Sequence, residues 1–474
     1  MGSSAIRGIH WFRNDLRLHD NLALTALADR ADAWLPVFVI DPLLSAQANP
    51  TPPRVRFLFD CLKRLEENLA SRGFGLHVVE GSPERLIPEL MTKIGASVVS
   101  WNSGSTPFAR RRDEKVAQAV MRIGGDSIQV DDHTVFGADE IKTRTGGNYS
   151  IYTPYRNEWW RTWERQPRLT SSRVRLPKAP VPKTVLSKGR RRSLDRGESA
   201  GFSLPKGGER NAKRRLREFL SGPAGRYHLD RDRPDIDGTS RLSAFLRFGT
   251  ISVRRCFTEG LRAIETDPGA RTGISKWLDE LVWREFYNAV LVNHPHVLSG
   301  SFRPEYDSIR WSGSDEHFEA WCEGRTGFPF VDAGMRQLRS TGWMHNRVRM
   351  VVASFLTKDL LIDWRRGERF FFESLVDGDP ASNNGGWQWA ASTGTDAQPY
   401  FRIFNPVAQG RRFDPDGKYV RRWVPELRGV DTRSIHAPWE NKSSRRKYPE
   451  PIVDHALQRK LAIEEFKRVR AIRP

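Results

Sequence analysis

The sequence predicts a two-domain protein of the class α/β plus all-α. Three observations predict this class. Short apolar runs alternate with amphipathic stretches over residues 1–132, a segment rich in Pro, Gly, Ser and charged residues lies within residues 133–205, and a helical period dominates residues 206–474. A chain of 474 residues is long enough for at least two hydrophobic cores. We therefore expect an N-terminal sheet domain, a long interdomain linker and a C-terminal all-helical domain.

The first domain contains five apolar runs that predict buried strands: AIRGIHWF, AWLPVFVI, GLHVVE, ASVVSW and SIQVDD. Between the second and third runs, Val55, Leu58, Leu62 and Leu65 follow helical spacing and predict a crossover helix. Alternation of strands and helices is typical of a parallel, doubly wound, Rossmann-like sheet. No G-x-G-x-x-G follows the first strand, so the usual dinucleotide fingerprint is absent.

The stretch SSRVRLPKAPVPKTVLSKGRRRSLDRGESAGFSLPKGG has the composition of a linker. We interpret its RRR run as part of a solvated linker; a contact with phosphate is the alternative. After residue 206, helices are predicted by runs such as NAKRRLREFL, ISKWLDELVWREFYNAVLV and MRQLRSTGWMHNRVRMVVASFLTKDLL.

The charge balance indicates the kind of partner. Lys and Arg number 77 against 57 Asp and Glu, and the net charge of +20 favours a polyanion, with an acidic membrane surface as the second candidate. The 16 tryptophans suit stacking on bases or on a planar cofactor, although core packing explains them equally well. Three widely separated cysteines fit a reducing cytoplasm and neither a disulfide framework nor a zinc site. With no apolar leader and no 18-residue apolar run, we expect a soluble, cytoplasmic protein without a metal centre.

One stretch has an unusual composition, residues 377–405 (DGDPASNNGGWQWAASTGTDAQPYFRIFN). Two carboxylates, two asparagines, a Gly pair and two indoles occur between Asp377 and Trp389. Asp and Asn compete with the helical backbone for hydrogen bonds, and each Gly costs about 1 kcal/mol relative to Ala in a helix interior. The pattern indicates backbone close to a bound group with polar side chains directed at it. A polar loop followed by a Trp-rich core segment is the alternative.

This stretch, the early string WFRNDLRLHDN and the segment GGNYSIYTPYRNEWWRTWERQP resemble the cryptochrome/photolyase family over nearly the whole chain. The closest resemblance is to the class I cyclobutane-pyrimidine-dimer (CPD) DNA photolyases. It implies a helical domain that binds FAD, with reduced FADH⁻ as the active form. It also implies that excited flavin donates an electron to a dimer flipped out of DNA. A monomer in a prokaryote-like cytoplasm, associated with the nucleoid when it binds DNA, is the expected state.

Two groups of cofactor-binding residues follow from the resemblance. Hydroxyls beside a helix start, together with an Arg, suit an anion, although a capped helix has the same pattern. The resemblance assigns this segment to the FAD pyrophosphate, with the residues Tyr227, Thr239, Ser240, Arg241, Leu242 and Ser243. It places a second group around the flavin ring, namely Trp277, Arg284, Asn346, Arg349, Asp377, Asp379 and Asn383, with Arg349 as the partner of Asp377.

The predicted helix around Glu280 presents an acid among aromatic side chains. Trp277, Glu280, Trp283, Arg284 and Tyr287 fall within about 120° of one helix face. A buried Glu280–Arg284 pair is the alternative to a functional acid. The resemblance assigns catalytic roles to Glu280, Met350 and Asn383, and DNA contacts to Glu280, Trp283, Arg284, Asn346, Arg347, Met350, Trp389 and Gln409. Met350 also argues against (6-4) photolyases, which have a catalytic His at that position.

The resemblance further implies an electron path from Trp387 through Trp364 to Trp311, although each of these tryptophans alone is typical of a core. An antenna chromophore, methenyltetrahydrofolate or 8-hydroxy-deazaflavin, is left open. Arg13 and Arg54 are retained, but Phe108 and Ala109 replace the Asn-Glu pair of folate-binding members. Gly104 and Thr106 replace the acids of deazaflavin-binding members.

Two other functions remain as alternatives: a cryptochrome photoreceptor without repair activity, and a generic nucleic-acid-binding module. Asn383, Met350, the charge of +20 and the lack of a long low-complexity C-terminal tail argue against the cryptochrome. The acid-rich, flavin-like stretch argues against the module.

Overall fold

The computed structural model of the chain describes residues 5–41, 52–170, 174–181, 204–440 and 447–471. Its N-terminal part contains a parallel sheet with the strand order β3-β2-β1-β4-β5. A sixth, two-residue strand pairs with β2. The strands are β1 (Arg7–Phe12), β2 (Ala33–Ile40), β3 (His77–Glu80), β4 (Val98–Asn102), β5 (Asp126–Val130) and β6 (Ala179–Pro180). The predicted doubly wound sheet is confirmed.

The sheet is apolar on both faces because helices connect its strands. Every residue of β2 except Ala33 is buried, as expected of a parallel strand covered on both sides. The connecting helices are α1 (Leu22–Ala28), α2 (Pro53–Ala70), α3 (Pro83–Ile94) and α4 (Pro107–Arg122). Helix α2 buries Leu62 and Leu65, which confirms the predicted crossover helix.

The predicted linker is helical in part. Helix α5 (Tyr152–Arg165) buries four aromatic side chains, Tyr152, Tyr155, Trp159 and Trp163, at spacings of three and four residues. Such a face needs an apolar partner, and α5 packs against the long helix Arg271–Asn293. Residues 171–173 and 182–203, which include the RRR run, lie outside the described residues. The boundaries 132/133 and 205/206 stay predictions.

The described chain after residue 204 contains helices and no strand. Short 3-10 turns and one π-helical segment, Phe355–Asp359, separate the α-helices. The α-helices are α6 (Glu209–Leu220), α7 (Tyr227–Asp230), α8 (Ser243–Arg247), α9 (Val253–Thr266), α10 (Arg271–Asn293), α11 (Asp315–Glu323), α12 (Pro329–Thr341), α13 (Asn346–Ser354), α14 (Trp364–Ser374), α15 (Pro380–Ala391), α16 (Pro406–Phe413), α17 (Lys418–Trp423) and α18 (His455–Ala471).

The predicted helical run over residues 335–361 is divided into two helices. Gly342 ends α12 with a φ of +65°, a left-handed conformation that Gly adopts without steric cost. His345 then caps α13, because its ring nitrogen Nδ1 accepts a hydrogen bond from the Arg347 backbone N–H at 3.2 Å. The break allows α13 to start a new direction at Asn346.

A buried ionic network joins the two domains. Arg17 and Arg254 both pair with Asp132, and Arg254 also lies 3.0 Å from Asp20. Arg17 Nη1 donates to the carbonyl oxygen of Gly249 at 3.0 Å. Each of these charged side chains is at most 7% exposed, so every charge is compensated by its partners. The network fixes the sheet domain against the helices that carry the candidate site.

No helix among the described residues is both long and apolar enough to cross a bilayer. Within the same ranges, no group of three or more His, Cys, Asp or Glu side chains is placed to hold a metal ion.

Candidate functional site

Three helices meet at the candidate site. Helix α10 carries Glu280 and Trp283, α13 carries Asn346 and Met350, and α15 carries Asn383. Helix α15 packs against both of the others. The structure therefore brings together side chains that are about a hundred residues apart in the sequence.

Residues 380–391 of the unusual stretch form helix α15, so the polar loop considered as the alternative is wrong for them. The Asp379 carboxylate caps the helix by accepting from the Ser382 N–H at 3.0 Å. A Cβ at Gly385 would collide with the ring of Tyr287 on α10. Close packing of two helices therefore explains this Gly and overrides its poor helix propensity.

The predicted Asp377–Arg349 pair is confirmed. Arg349 Nη2 lies 2.9 Å from Asp377 Oδ2 and 3.2 Å from Oδ1. Arg349 Nε donates to the carbonyl oxygen of Met344 at 2.8 Å, which fixes the guanidinium. The Asp377 side chain is only 2% exposed and that of Arg349 is 25% exposed, so the pair holds a buried carboxylate in a fixed position.

Asp379 lies among cationic and polar groups. Arg247 Nε and His133 Nε2 are each 4.0 Å from Asp379 Oδ2. Burial alone would raise the pKa of Asp379, but the positive charges of Arg247 and Arg284 lower it below its ordinary value. Burial, reinforced by Arg284, lowers the pKa of His133. The imidazole is therefore neutral beside an ionised carboxylate.

The amide of Asn383 has a defined orientation. Its Nδ2 donates to the carbonyl oxygen of Glu368 at 2.9 Å. The neighbouring Asn384 donates from Nδ2 to Glu368 Oε1 at 3.0 Å. Burial raises the pKa of Glu368 to about 7. Because the Asn383 nitrogen is engaged, its Oδ1 is the atom that can accept from a ligand N–H.

The alternative Glu280–Arg284 pair is wrong. Glu280 pairs with Arg231, and Lys276 lies 3.7 Å away. Arg284 instead donates to the carbonyl oxygen of His133 at 2.8 Å and to the His133 ring nitrogen Nε2 at 2.7 Å. Glu280 is about a quarter exposed, so its carboxylate remains accessible.

The two tryptophans of the same helix differ in exposure. Trp277 is 2% exposed, with its ring centroid 5.2 Å from that of Phe219. Trp283 is only partly buried and keeps some accessible ring surface.

The segment Thr239–Ser243 is held by its neighbours and not by helix capping. Arg215 donates from Nη2 to the carbonyl oxygen of Thr239 at 2.7 Å and from Nε to that of Ser240 at 2.9 Å. Arg241 has a φ of +51°, which is uncommon for a residue with a side chain. The following helix α8 has only five residues, and Leu242 caps it without a side-chain bond. Tyr227, buried at the start of α7, is the remaining residue of this predicted group.

The remaining predicted DNA contacts lie on three helices. Asn346 Nδ2 is 3.9 Å from Met350 Sδ, which confirms that the two residues share one side of α13. Arg347 pairs with Asp232 at 2.9 Å. On α16, Gln409 Oε1 is buried without a hydrogen-bond partner among the described residues. Trp389 on α15 is half-buried.

The predicted electron path runs from buried to accessible tryptophans. Trp387 and Trp364 are 2% and 1% exposed, and Trp311 is partly exposed. A Cβ at Gly367 of α14 would collide with the Trp387 indole, so this Gly lets the helix of Trp364 approach Trp387. The buried Trp321 also contacts Trp387, with ring centroids 6.1 Å apart.

Two family models match the chain. The model described as DNA photolyase matches residues 8–178, and the one described as the FAD binding domain of DNA photolyase matches residues 277–468. A deoxyribodipyrimidine photo-lyase of Synechococcus sp. is 39% identical over 464 residues, covering 95% of this chain and 94% of that protein. The chain belongs to the DNA photolyase family.

Solved structures of the photolyase family confirm the predicted fold class. A bacterial class III photolyase from Agrobacterium tumefaciens matches with a TM-score of 0.90 at 35% identity, covering 99% of each chain. A cryptochrome from Synechocystis sp. PCC6803 matches with a TM-score of 0.84 at 27% identity, covering 98% of this chain and 100% of that one. Assignment to class I within the photolyases stays a prediction.

As in a photolyase, the residues present fit FAD. The ionised Asp379 and the Asp377–Arg349 pair supply fixed charge, and Asn383 Oδ1 supplies an oriented acceptor. These groups match the polar edge of an isoalloxazine ring, which carries both N–H donors and carbonyl acceptors. The match to the photolyase FAD-binding domain makes FAD the cofactor.

A cavity of about 200 Å³ lies between the helical domain and the edge where the strand order of this photolyase-family sheet reverses, at β1 and β4, and Arg247, Arg284 and Asp379 line its helical side. The two arginines considered for an antenna are bound to protein groups. Arg13 pairs with Asp113 and donates to the carbonyl oxygen of Asn102, and Arg54 lies 4.2 Å above the Phe372 ring. The identity of an antenna chromophore stays open.

The other antenna positions lie at the start of α4. The Thr106 hydroxyl caps this helix by accepting from the Ala109 N–H at 3.2 Å. A Cβ at Gly104 would collide with the Ala109 side chain. Phe108 is exposed at the rim of this cavity.

Sequence reasoning missed several residues that hold the site together. They share one property: each contacts a predicted site residue from a distant segment. Only Arg231 carried a signal, since it lies in the charged run LDRDRPD close to Tyr227. The missed residues are Arg231, His133, Glu368, Trp321 and Tyr152.

Proposed function

We propose that this chain uses light to repair cyclobutane pyrimidine dimers in DNA. The observation that carries the proposal is the placement of Glu280 and Trp283 on α10, against the helix that carries Asn383, in a chain that belongs to the DNA photolyase family. An accessible acid and an indole on one helix face suit a polar guest with a flat face, such as a flipped-out dimer of two adjacent pyrimidines.

The proposed substrate contacts fall into two groups, those with the damaged bases and those with the DNA strand. Glu280 hydrogen-bonds the damaged bases, Trp283 and Trp389 stack on them, and Met350 lines the cavity. Arg347 and Gln409 contact the DNA strand near the lesion. The accessibility of Glu280 and the half-burial of both indoles support these roles.

The proposed flavin contacts comprise two sets. Trp277, Arg284, Asn346, Arg349, Asp377, Asp379 and Asn383 surround the ring, while Tyr227 and residues 239–243 hold the pyrophosphate. Bound reduced FAD supplies the light-driven electron. The chain's own residues supply orientation, fixed charge and exclusion of water. The Asn383 amide is oriented by the Glu368 carbonyl oxygen, so that its Oδ1 would accept a hydrogen bond from a flavin N–H.

The decisive experiment is repair of an oligonucleotide duplex that contains one CPD, with and without blue light, beside a duplex with a (6-4) lesion. We expect light-dependent repair of the CPD only. Light-dependent flavin chemistry without repair of either lesion would favour the cryptochrome alternative. A purified protein without a flavin spectrum would leave only the binding module. A cytoplasmic location and a monomeric state stay predictions.

DNA affinity should depend strongly on salt. The chain carries a net charge of +20, and contacts of Lys and Arg with phosphate release condensed counterions. Six or more such contacts would lower affinity about 1,000-fold or more between 50 and 200 mM salt. Titration of undamaged duplex at several salt concentrations measures the slope. Arg347→Gln removes one phosphate contact and should reduce the slope of log K against log salt concentration by about 1. A slope near zero in the parent would contradict the proposal.

Acid should destabilise the fold through His345. Burial lowers the pKa of this ring to about 3, so the folded state holds it neutral while the unfolded chain protonates it near pH 6.5. Its contribution to stability is complete above about pH 6.5 and is lost as pH falls, by about 2 kcal/mol at pH 5.

Urea unfolding of the parent and of His345→Asn at pH 7 and pH 5 tests this expectation. Asn keeps a side-chain acceptor for the helix cap and does not titrate. The variant should lose less free energy of unfolding between the two pH values. Equal losses in both proteins would show that His345 is not the titrating group.

A further inference from the structure

Trp283 has an aromatic support that comes from outside its own helix. The Tyr152 ring is stacked on it with centroids 3.6 Å apart and an interplanar angle of 11°. Tyr152 is the first residue of α5, within the stretch predicted to be a linker, and is 7% exposed. A buried ring thus covers one face of the partly buried indole.

Two further rings pack against Trp283. Phe286 lies with its centroid 5.7 Å away at an interplanar angle of 80°, and Tyr287 lies 5.5 Å away at 36°. With one face covered and these rings packed around it, we expect the accessible surface of Trp283 to lie on its opposite face. That face is the surface available to a stacked base.

Tyr152 is itself fixed from both ends. Its hydroxyl donates to the carbonyl oxygen of Asp279 at 2.7 Å, one helical turn before Trp283. Its backbone N–H donates to Asp396 Oδ2 at 3.1 Å. Asp396 has a φ of +44°, and the neighbouring Thr395 hydroxyl bonds to the Ser150 carbonyl oxygen. The loop after α15, which follows Trp389, is thereby tied to the base of the Trp283 stack.

We propose that Tyr152 is a positioning residue for recognition of the lesion: it holds Trp283 in one orientation and couples it to the loop that contains Asp396. This inference rests on the proposed function, because it concerns the same dimer-binding cavity. An indole that is already held in one rotamer loses no rotamer freedom when a base stacks on it. An indole without this support loses that freedom on binding, which lowers the affinity. Undamaged duplex is bound through its phosphates and does not need the Trp283 face.

The test uses the holoprotein in the dark, with a duplex that contains one CPD and the same duplex without damage. Tyr152→Leu should weaken binding of the damaged duplex about three- to tenfold and leave binding of the undamaged duplex unchanged. Tyr152→Phe keeps the ring and should restore most of the preference. In a Trp283→Ala background, Tyr152→Leu should cause no further loss, since Tyr152 acts through Trp283.

Tyr155→Leu is the matched control. Tyr155 lies one turn along α5, is 3% exposed and packs on Phe286 at a centroid distance of 5.3 Å. It should leave the ratio of the two affinities at the parent value. If Tyr152→Leu does not fold, Tyr152→Met fills the same space with an unbranched side chain and carries the same expectation.

Both results that would overturn the inference require a parent protein that repairs the CPD under blue light. The first is a ratio of affinities for damaged and undamaged duplex in Tyr152→Leu that equals the parent value. The second is a loss of affinity for the damaged duplex in Tyr155→Leu as large as that in Tyr152→Leu. A parent that neither prefers nor repairs the damaged duplex would overturn the proposed function and this inference with it.

Discussion

Replacing Glu280 by Ala should lower the repair yield per absorbed photon and leave the fold and the flavin spectrum intact. In its protonated form, and with the ion pair to Arg231 opened by the bound dimer, the Glu280 carboxyl donates a hydrogen bond to the dimer carbonyls and stabilises the negative charge that arrives with the electron. A hydrogen bond to a charged group contributes about 1.5–3 kcal/mol, so its loss should slow ring opening about tenfold or more. Repair per absorbed photon, measured by loss of the CPD in a defined duplex, gives the effect directly.

The stability of the variant separates this role from a structural one. Glu280 pairs with Arg231 and is about a quarter exposed, and Arg231 has a second acid, Asp232, at 3.9 Å. Removing a partly exposed pair whose cation keeps another partner should cost about 1 kcal/mol or less in free energy of unfolding. A buried pair would cost about 3–5 kcal/mol.

Glu280→Gln is the matched control, because its amide is a hydrogen-bond donor of nearly the same shape that never carries a charge. We expect its repair yield to lie between those of the parent and Glu280→Ala. Melting temperature, flavin occupancy and repair yield should be measured on one preparation of each protein. A destabilised, flavin-poor Glu280→Ala whose remaining holoprotein repairs at the parent yield would refute the catalytic assignment.

Replacing Trp387 by Phe should abolish photoreduction of oxidised flavin and leave repair by chemically reduced protein largely intact. Trp387 is the first member of the proposed path to Trp311, which serves to return the flavin to its reduced state. Phenylalanine is much harder to oxidise than tryptophan, so the path is interrupted. Flavin absorbance under illumination with an external thiol as reductant follows the process.

Trp321→Phe is the matched control for the loss of a buried indole. Trp321 contacts Trp387 at a centroid distance of 6.1 Å and is fully buried, but it lies outside the proposed path. Each substitution leaves a cavity and should cost about 1–3 kcal/mol in stability. Photoreduction at the parent rate in Trp387→Phe would remove Trp387 from the path. If Trp321→Phe loses photoreduction while Trp364→Phe retains it, then Trp321, and not Trp364, is the second member of the path after Trp387.

The features that depend on short-range periodicity could be predicted from the order of the residues. Continuous apolar runs predicted the five parallel strands, because a strand covered on both faces contains few polar positions. The 3.6-residue period predicted α10 and the common face of Glu280 and Trp283. The family resemblance supplied the Asp377–Arg349 pair, which the structure confirms.

The pairing of distant side chains could not be predicted and follows from the packing of the folded chain. Arg284 lies one turn from Glu280 and yet bonds to His133, because packing brings the segment around residue 133 against α10. Glu280 in turn pairs with Arg231. Residues 380–391 become a helix because contact between Gly385 and Tyr287 outweighs local propensity. Propensity and periodicity act over a few residues, whereas the choice of partner depends on where distant segments meet. The stacking of Tyr152 on Trp283 is an example, because the sequence around either residue gives no sign of the other.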